Sequence, residues 1–414
     1  MKTAVIGTGI SGMVAAHLLA DEHDLTVFEA NDYVGGHTHT IDVAVNGKSY
    51  AVDTGFIVFN PLTYPNFIRL LNKLGIGWKP SDMSFSVQSE ESGLEYSPKS
   101  LGSLFAQKRN LFSWRFYRML LDVFRFKRES LELLETEDYH TTLGQYLDGK
   151  GYSKPFINHF IIPMGEAIWS ADPKKFNDFP ARYFVQFFKR HAFLDVRKQP
   201  QWLVVEGGSK SYVGPLTRPY HDRIRLSSPV EWVRRHADHV EVKPAGAAVE
   251  RFDQVIIAAH SDQALRMLAD PSELERELLS AIPYQENFTV LHTDVSLLPR
   301  KKIAWASWNY HIPRSGTGRV TITYDMNILQ GLRAPLEFCV TLNPPKPIDR
   351  HKVIRELTYH HPIYTNRGPI AQRLHDQVNG VNRTYFCGAY WGYGFHEDGV
   401  NSALAVCKHF GRGL

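Results

Sequence analysis

The apolar positions first gather into a short continuous run, Ala4-Val5-Ile6, which stops at Gly7-Thr8-Gly9-Ile10-Ser11-Gly12. A small-residue stretch reaches about Ala20, and a second apolar run follows, Leu25-Thr26-Val27-Phe28. The pattern predicts strand, turn, helix and strand. Phe252-Asp253-Gln254-Val255-Ile256-Ile257-Ala258-Ala259 closes on small residues and reads as a buried parallel strand. Pro229–Val233 and His239–Val242 pair as a short hairpin, and Tyr385-Phe386-Cys387-Gly388 reads as another buried strand. Polar and apolar residues alternate in Arg319–Tyr324 and Glu337–Leu342, which predicts an antiparallel sheet. Residues 76–200 read as a helical, aromatic insertion, and a last helix is expected from Asn401 to Phe410.

These interruptions predict an α/β protein. A Rossmann-type dinucleotide-binding domain with a parallel sheet is assembled from residues 1–75, 201–270 and 376–414. A discontinuous α+β substrate domain combines the insertion, 76–200, with a mixed sheet in 271–375. A substrate site is expected between the two.

The opening turn carries G-x-G-x-x-G between a strand and a helix. Gly7 permits the tight turn, Gly9 lets a pyrophosphate approach the backbone, and Gly12 lets the helix pack closely on the strand. The helix N-terminus at Ile10 and Ser11 offers free N–H groups to phosphate. Glu29, next to Ala30, ends the second strand 22 residues after Gly7, where an acid can accept ribose hydroxyls. No second such turn precedes a helix. Gly316-Thr317-Gly318 comes nearest and lacks a third glycine, so a separate NAD(P)H domain is not expected.

Beyond Glu29 the run continues Asn31-Asp32-Tyr33-Val34-Gly35-Gly36-His37-Thr38, and Asp53-Thr54-Gly55-Phe56 follows. Near the far end stands Gly394-Phe395-His396-Glu397-Asp398-Gly399-Val400. With these segments the chain resembles the flavin-containing amine oxidoreductase superfamily, which includes amine oxidases, phytoene desaturases and protoporphyrinogen oxidase. The resemblance implies FAD. It implies cofactor contacts at Gly35, Gly36, His37, Thr38, Gly55, Phe56, Val230, Gly388, Gly399 and Val400, besides those of the opening turn. It also implies a glycine turn at Glu206-Gly207-Gly208-Ser209 leading back into the FAD domain. Two positions depart from the family: His37 replaces the usual Arg, and Tyr390 replaces a frequent acid.

Composition narrows the partners. A net charge of +4 gives no case for nucleic acid. Cys339, Cys387 and Cys407 form no C-x-x-C and leave one unpaired, which suits a reducing compartment. The strand begins at residue 2, so no signal peptide is expected, and no run of about 18 apolar residues predicts a membrane span. The location expected is cytoplasmic or peripheral at the inner membrane face. His37 and His39, and His360-His361, lack partners at metal-ligand spacing, so no metal is expected.

The substrate side is aromatic, with Trp169 in one segment and Trp305, Trp308 and Tyr310 in a strand-like run besides the rings of the closing segment. Trp308, Tyr310, Trp391, Tyr393 and Phe395 are expected to converge beside the flavin, with His396 as the nearest titratable group; Trp308, Tyr393, Phe395 and His396 are the catalytic candidates. Amine-oxidising relatives offer a Lys near flavin N5, whereas Asn287-Phe288-Thr289-Val290-Leu291-His292 has none. His292 is read either as a base or as a satisfied core residue. Residues 104–128 mix rings with Lys and Arg, and Phe184–Arg190 echoes them; such helices can lie on a lipid surface or simply be amphipathic. The chain most resembles bacterial oxidoreductases associated with modified fatty acids. That implies flavin hydride transfer on an apolar, fatty-acyl or related lipid. A double-bond isomerase, an amine oxidase and a non-catalytic lipid-binding protein are the alternatives.

Overall fold

The structure is a computed structural model that describes residues 1–170, 176–195, 199–314 and 319–414. The turn Gly316-Thr317-Gly318 lies outside the described residues. Five strands form one parallel sheet, in the spatial order Ile224–Arg225, Asp24–Phe28, Lys2–Ile6, Gln254–Ile257 and Thr384–Phe386. The middle strands are buried on both faces, which is why they read as continuous apolar runs. All three cysteines are buried and free.

The opening helix, Ile10–Leu19, is almost wholly buried. Gly12 decides how closely it lies on the sheet. A methyl group there would stand 2.0 Å from the Gly7 carbonyl oxygen. The closing helix, His396–Lys408, packs beside it. It begins five residues earlier than Asn401, because Phe395 serves as its N-cap and the Asp398 carboxylate accepts from the Phe395 N–H. Gly399 therefore lies inside the helix, and a methyl on it would stand 2.6 Å from Ile10 Cγ2. The two glycines let the two ends of the chain meet.

A second sheet has seven strands, in the order Val353–Pro362, Tyr284–His292, Cys339–Leu342, Ile322–Asp325, Trp308–Ile312, Phe85–Ser89 and Glu95–Tyr96. It is antiparallel except where Trp308–Ile312 runs parallel to Phe85–Ser89. Residues 76–200 thus open with strands rather than helices. Trp78–Pro80 joins a small sheet with Val58–Phe59 and Leu203–Val205. The hairpin at 229–242 gains a third strand, Glu250–Phe252.

Helices dominate from Leu101 onward. Residues 104–128 form a 3-10 turn, Lys108–Phe112, and a helix, Trp114–Glu129, separated by Ser113, which caps the helix through the Phe116 N–H. The echo at Phe184–Arg190 has another fate. In helix Ala181–Arg190 the side chains of Phe184, Val185, Phe187 and Phe188 are buried in the core, so that segment offers no ring to a lipid surface. No described helix is long and apolar enough to cross a membrane.

Gly12→Ala should destabilise the protein by about 1–3 kcal/mol, the usual cost of overpacking. The measurement is the denaturant midpoint of the apoprotein. An unchanged midpoint would mean that the helix stands farther from the sheet.

Candidate active site

A cavity of about 830 Å³ opens at the C-terminal ends of the parallel strands, the usual ligand crevice of such sheets. Gly7, Gly9, Ile10, Ser11, Glu29, Ala30 and Val230 line one end. Gly36, His37, Gly55, Phe56 and Gly388 line its course, and Trp308, Tyr393, Phe395 and His396 border it too. The remaining candidates stand behind the wall. Gly12 and Gly399 pack helices, Val400 is buried, and Gly35 turns the chain with φ +134°. Thr38 shares hydrogen bonds with Tyr212 Oη at 2.5 Å and His396 Nε2 at 3.1 Å.

Glu29 is buried at the end of its strand. One carboxylate oxygen accepts from the Thr8 N–H at 2.9 Å and from the Thr8 hydroxyl. The other accepts from the Asn31 N–H and Nδ2, each at 2.9 Å. The acid therefore ties the glycine turn to the second strand as well as bordering the cavity. Asp53 sits deeper. It accepts from the Ser209 N–H and hydroxyl, from Thr40 Oγ1 and from Gln330 Nε2, and burial pushes it up to about 6. Gly207 and Gly208 supply the turn that brings Ser209 to it.

The aromatic convergence is partial. Trp308 borders the cavity, but Tyr310, two residues along the same strand, runs past it and donates its hydroxyl to Glu166. Trp391 stacks on His375 with ring centroids 4.0 Å apart and lies away from the cavity. Trp305 donates to the Pro299 carbonyl. Trp169, among the aromatic residues expected on the substrate side, does border the cavity. Phe187, Phe193, Trp202 and Tyr324 join it from segments far apart in the chain, which is why sequence spacing does not reveal them. His292 is a core residue, bonded to Thr341 Oγ1 at 2.7 Å and accepting from the Asp294 N–H.

His396 is not alone among titratable groups. It stacks on Phe56 at 3.5 Å and meets the Tyr212 hydroxyl at 2.9 Å. Burial, then His37, holds it well below the ordinary histidine range. His37, His260 and His361 also border the cavity, the His37 ring lying 6.0 and 5.5 Å from the other two. Burial lowers His37 to about 4, with His360 adding to the effect. Burial, then His37, lowers His361 to about 3. His260 is driven well down by burial and by its histidine neighbours. The Asn287 amide donates to His361 Nδ1 at 2.8 Å, so the neutral ring carries its proton on Nε2. His260 was findable: it follows a parallel strand by three residues, on the ligand-binding edge. Away from the cavity, His236, His239 and Glu241 form the one metal-ligand type of grouping among the described residues, on a surface hairpin.

The family described as flavin containing amine oxidoreductase matches residues 10–295. The chain belongs to this family. The flavin-dependent L-tryptophan oxidase RebO of Lentzea aerocolonigenes is 26% identical over 267 residues, covering 58% of this chain and 54% of that protein. A flavin-containing amine oxidase of Danio rerio is 25% identical over 310 residues, covering 69% and 57%. The chain thus matches little more than half the length of these relatives. Putrescine oxidase with bound putrescine has the same fold, with a TM-score of 0.70 at 14% identity over 99% of both chains. So does a CLA-producing fatty acid isomerase from P. acnes, with a TM-score of 0.66 at 16% identity over 99% of this chain and 98% of that one.

Like the family, this flavoprotein has FAD as its cofactor, and its residues fit that group. A methyl on Gly9 would meet no protein atom within 4 Å, so the turn leaves a backbone cradle open to the cavity. The Trp308 indole N–H borders the cavity, buried and with no hydrogen-bond partner among the described residues. The opening-turn backbone would hold the pyrophosphate and Glu29 a ribose.

Gly9→Val should leave apoprotein stability within about 0.5 kcal/mol, as at an uncrowded site, yet weaken FAD binding at least about tenfold. Glu29→Ala should cost about 1.5–3 kcal/mol of FAD affinity, the range for hydrogen bonds to a charged group. Flavin titration of both apoproteins checks this, and unchanged affinity would displace the site. A pH test concerns His37. Its folded pKa lies below the unfolded value of 6.5, so the unfolded chain binds more protons as pH falls from 6.5 to 4. Relative to pH 7, wild type should lose roughly 3 kcal/mol of stability against His37→Gln by pH 4. Denaturation of both proteins across that range measures it, and parallel curves would place His37 in water.

Proposed function

We propose that the protein is an FAD-dependent oxidoreductase acting on an apolar, fatty-acyl or related lipid substrate. The observation that carries this reading is the lining of the aromatic end of the cavity. Trp169, Phe187, Phe193, Trp202, Trp308 and Tyr324 supply rings there. The acidic lining residues, Glu29 and Glu231, stand with the opening turn and Val230; no lysine lines the cavity among the described residues, and the arginine that does, Arg266, is paired with Asp262. His37, His260 and His361, which also line the cavity, are held neutral by burial and by neighbouring histidines. An aromatic end that offers no carboxylate suits an alkyl chain better than an ammonium group.

Bound FAD supplies a two-electron acceptor for hydride. The chain's own residues do the rest. The rings exclude water and align the substrate by apolar contact. His361, with Asn287 on Nδ1, presents an N–H donor rather than a base. His39 and Thr54 hold the Tyr359 hydroxyl at 3.0 and 2.7 Å, fixing that ring beside His37. The Trp169 N–H donates to the Tyr393 carbonyl at 3.2 Å and so braces the substrate wall against the closing segment.

Amine oxidation is the second reading, favoured by the activities named for the curated relatives. The experiment is anaerobic titration of the holoprotein with free fatty acids, an acyl thioester, phospholipids and primary amines. Loss of the oxidised flavin absorbance with an acyl compound, and none with amines, is expected. Chromatography of the same mixtures detects a double-bond shift without net reduction. Prompt amine turnover with peroxide release would replace the acyl reading by the amine one.

A further inference from the structure

Helix Trp114–Glu129 carries two apolar stripes. Phe116, Met119 and Phe126 enter the core. Trp114, Tyr117, Leu121 and Phe124 recur at intervals of three and four. At about 100° per residue the two stripes centre roughly 160° apart, so the second points away from the core. It is exposed: Trp114 by 71%, Leu121 by 56% and Phe124 by 60%, with Phe112 on the preceding turn at 91%. The Tyr117 hydroxyl donates to the Leu111 carbonyl and joins that turn to the helix. Leu101 and Ile303, both largely exposed, stand on the adjoining segments, where helix Leu101–Leu104 meets Lys302–Ala304 and the following Phe105 meets the Tyr117 ring. Single exposed rings need no explanation, but a continuous stripe of them marks an interaction surface.

The charges around the stripe have one sign. Lys108, Arg115, Arg300, Lys301 and Lys302 are exposed and form no ion pair among the described residues. Arg118 and Arg125 are different. Both lie near the buried Asp122 carboxylate, at 3.4 and 3.9 Å, and Arg125 also bonds Glu129 and the Lys150 carbonyl. Those two brace the helix, whereas the others are free to meet an external anion.

We propose that this face docks on an anionic lipid bilayer. The rings would enter the boundary between headgroups and acyl chains, and the cations would lie against the headgroup phosphates. A second copy of the chain fits less well, because a two-fold contact would set these cations against their own kind. The inference rests on exposure and charge alone, so it stands or falls separately from the acyl-substrate reading.

The test is co-sedimentation of the holoprotein with vesicles of phosphatidylcholine alone, or with added phosphatidylglycerol, at two salt concentrations. Wild type should pellet with the anionic vesicles at low salt and less at high salt, where surface charges are screened. Phe112→Ser with Trp114→Ser should lower the bound fraction at least about tenfold, and so should Lys108→Glu with Arg115→Glu and Lys301→Glu. FAD content and thermal midpoint should stay unchanged, since all five side chains are exposed. Wild type remaining in the supernatant at low salt would overturn the proposal, as would full binding by the Phe112 and Trp114 variant. A concentration-dependent dimer lost in that variant, without vesicle binding, would also overturn it and give the face to a second copy. If the variants lose FAD, brominated phosphatidylglycerol decides: absence of tryptophan quenching in wild type overturns the proposal.

Discussion

The approach of the opening helix to the first strand is the constraint on which the site depends. Gly12 lies so near the Gly7 carbonyl that any side chain would force the two apart. That approach aims the N-terminus of helix Ile10–Leu19 into the crevice at the end of the parallel sheet. The closing helix comes to rest on the opening one through Gly399. Residues almost four hundred positions apart therefore border one cavity, and the glycines that look like phosphate contacts divide their work. Gly9 stays open to the cavity, while Gly12 and Gly399 set distances between elements.

Enclosure then sets the electrostatics. Six histidines border the same space, and where His37, His260 and His361 cluster a charge on one would raise the cost of a charge on the next. Burial acts in the same direction. The outcome is a cluster of neutral imidazoles, able to donate and accept hydrogen bonds, in a cavity whose charged lining residues are Glu29, Glu231 and Arg266. Asp53 shows the complementary case. Its carboxyl is raised by burial yet holds Ser209, Thr40 and Gln330 in place, so it joins the glycine turn at 207–208 to strand Thr40–Val45 and to the end of helix Met326–Leu329.

Two helices of similar composition meet opposite ends. Ala181–Arg190 buries its phenylalanines under the cavity wall, where Phe187 stacks on His191 at 3.8 Å. Trp114–Glu129 buries one stripe and leaves the other in water. Helix Ile162–Trp169, which packs on strand Trp308–Ile312, carries Trp169 to the cavity and Glu166 to Tyr310. Rings near one another in sequence are thus divided among core, cavity and surface.

The sequence by itself determined the opening strand, turn and helix, the acid at Glu29, the buried central strands and the cofactor class. Those features are local: a backbone that must turn tightly, a strand buried on both faces and an acid at its end each leave a mark within a few residues. The tertiary structure alone decided that Tyr310 and Trp391 miss the cavity, that His361 joins it, and that Phe85–Ser89 belongs to the large sheet rather than to a helical insertion. It also decided where the closing helix begins, because the Asp398 cap acts on Phe395 ahead of the small-residue stretch. Which face of a strand or helix meets solvent, core or cavity depends on neighbours brought from distant parts of the chain, and periodicity along one segment carries no information about them.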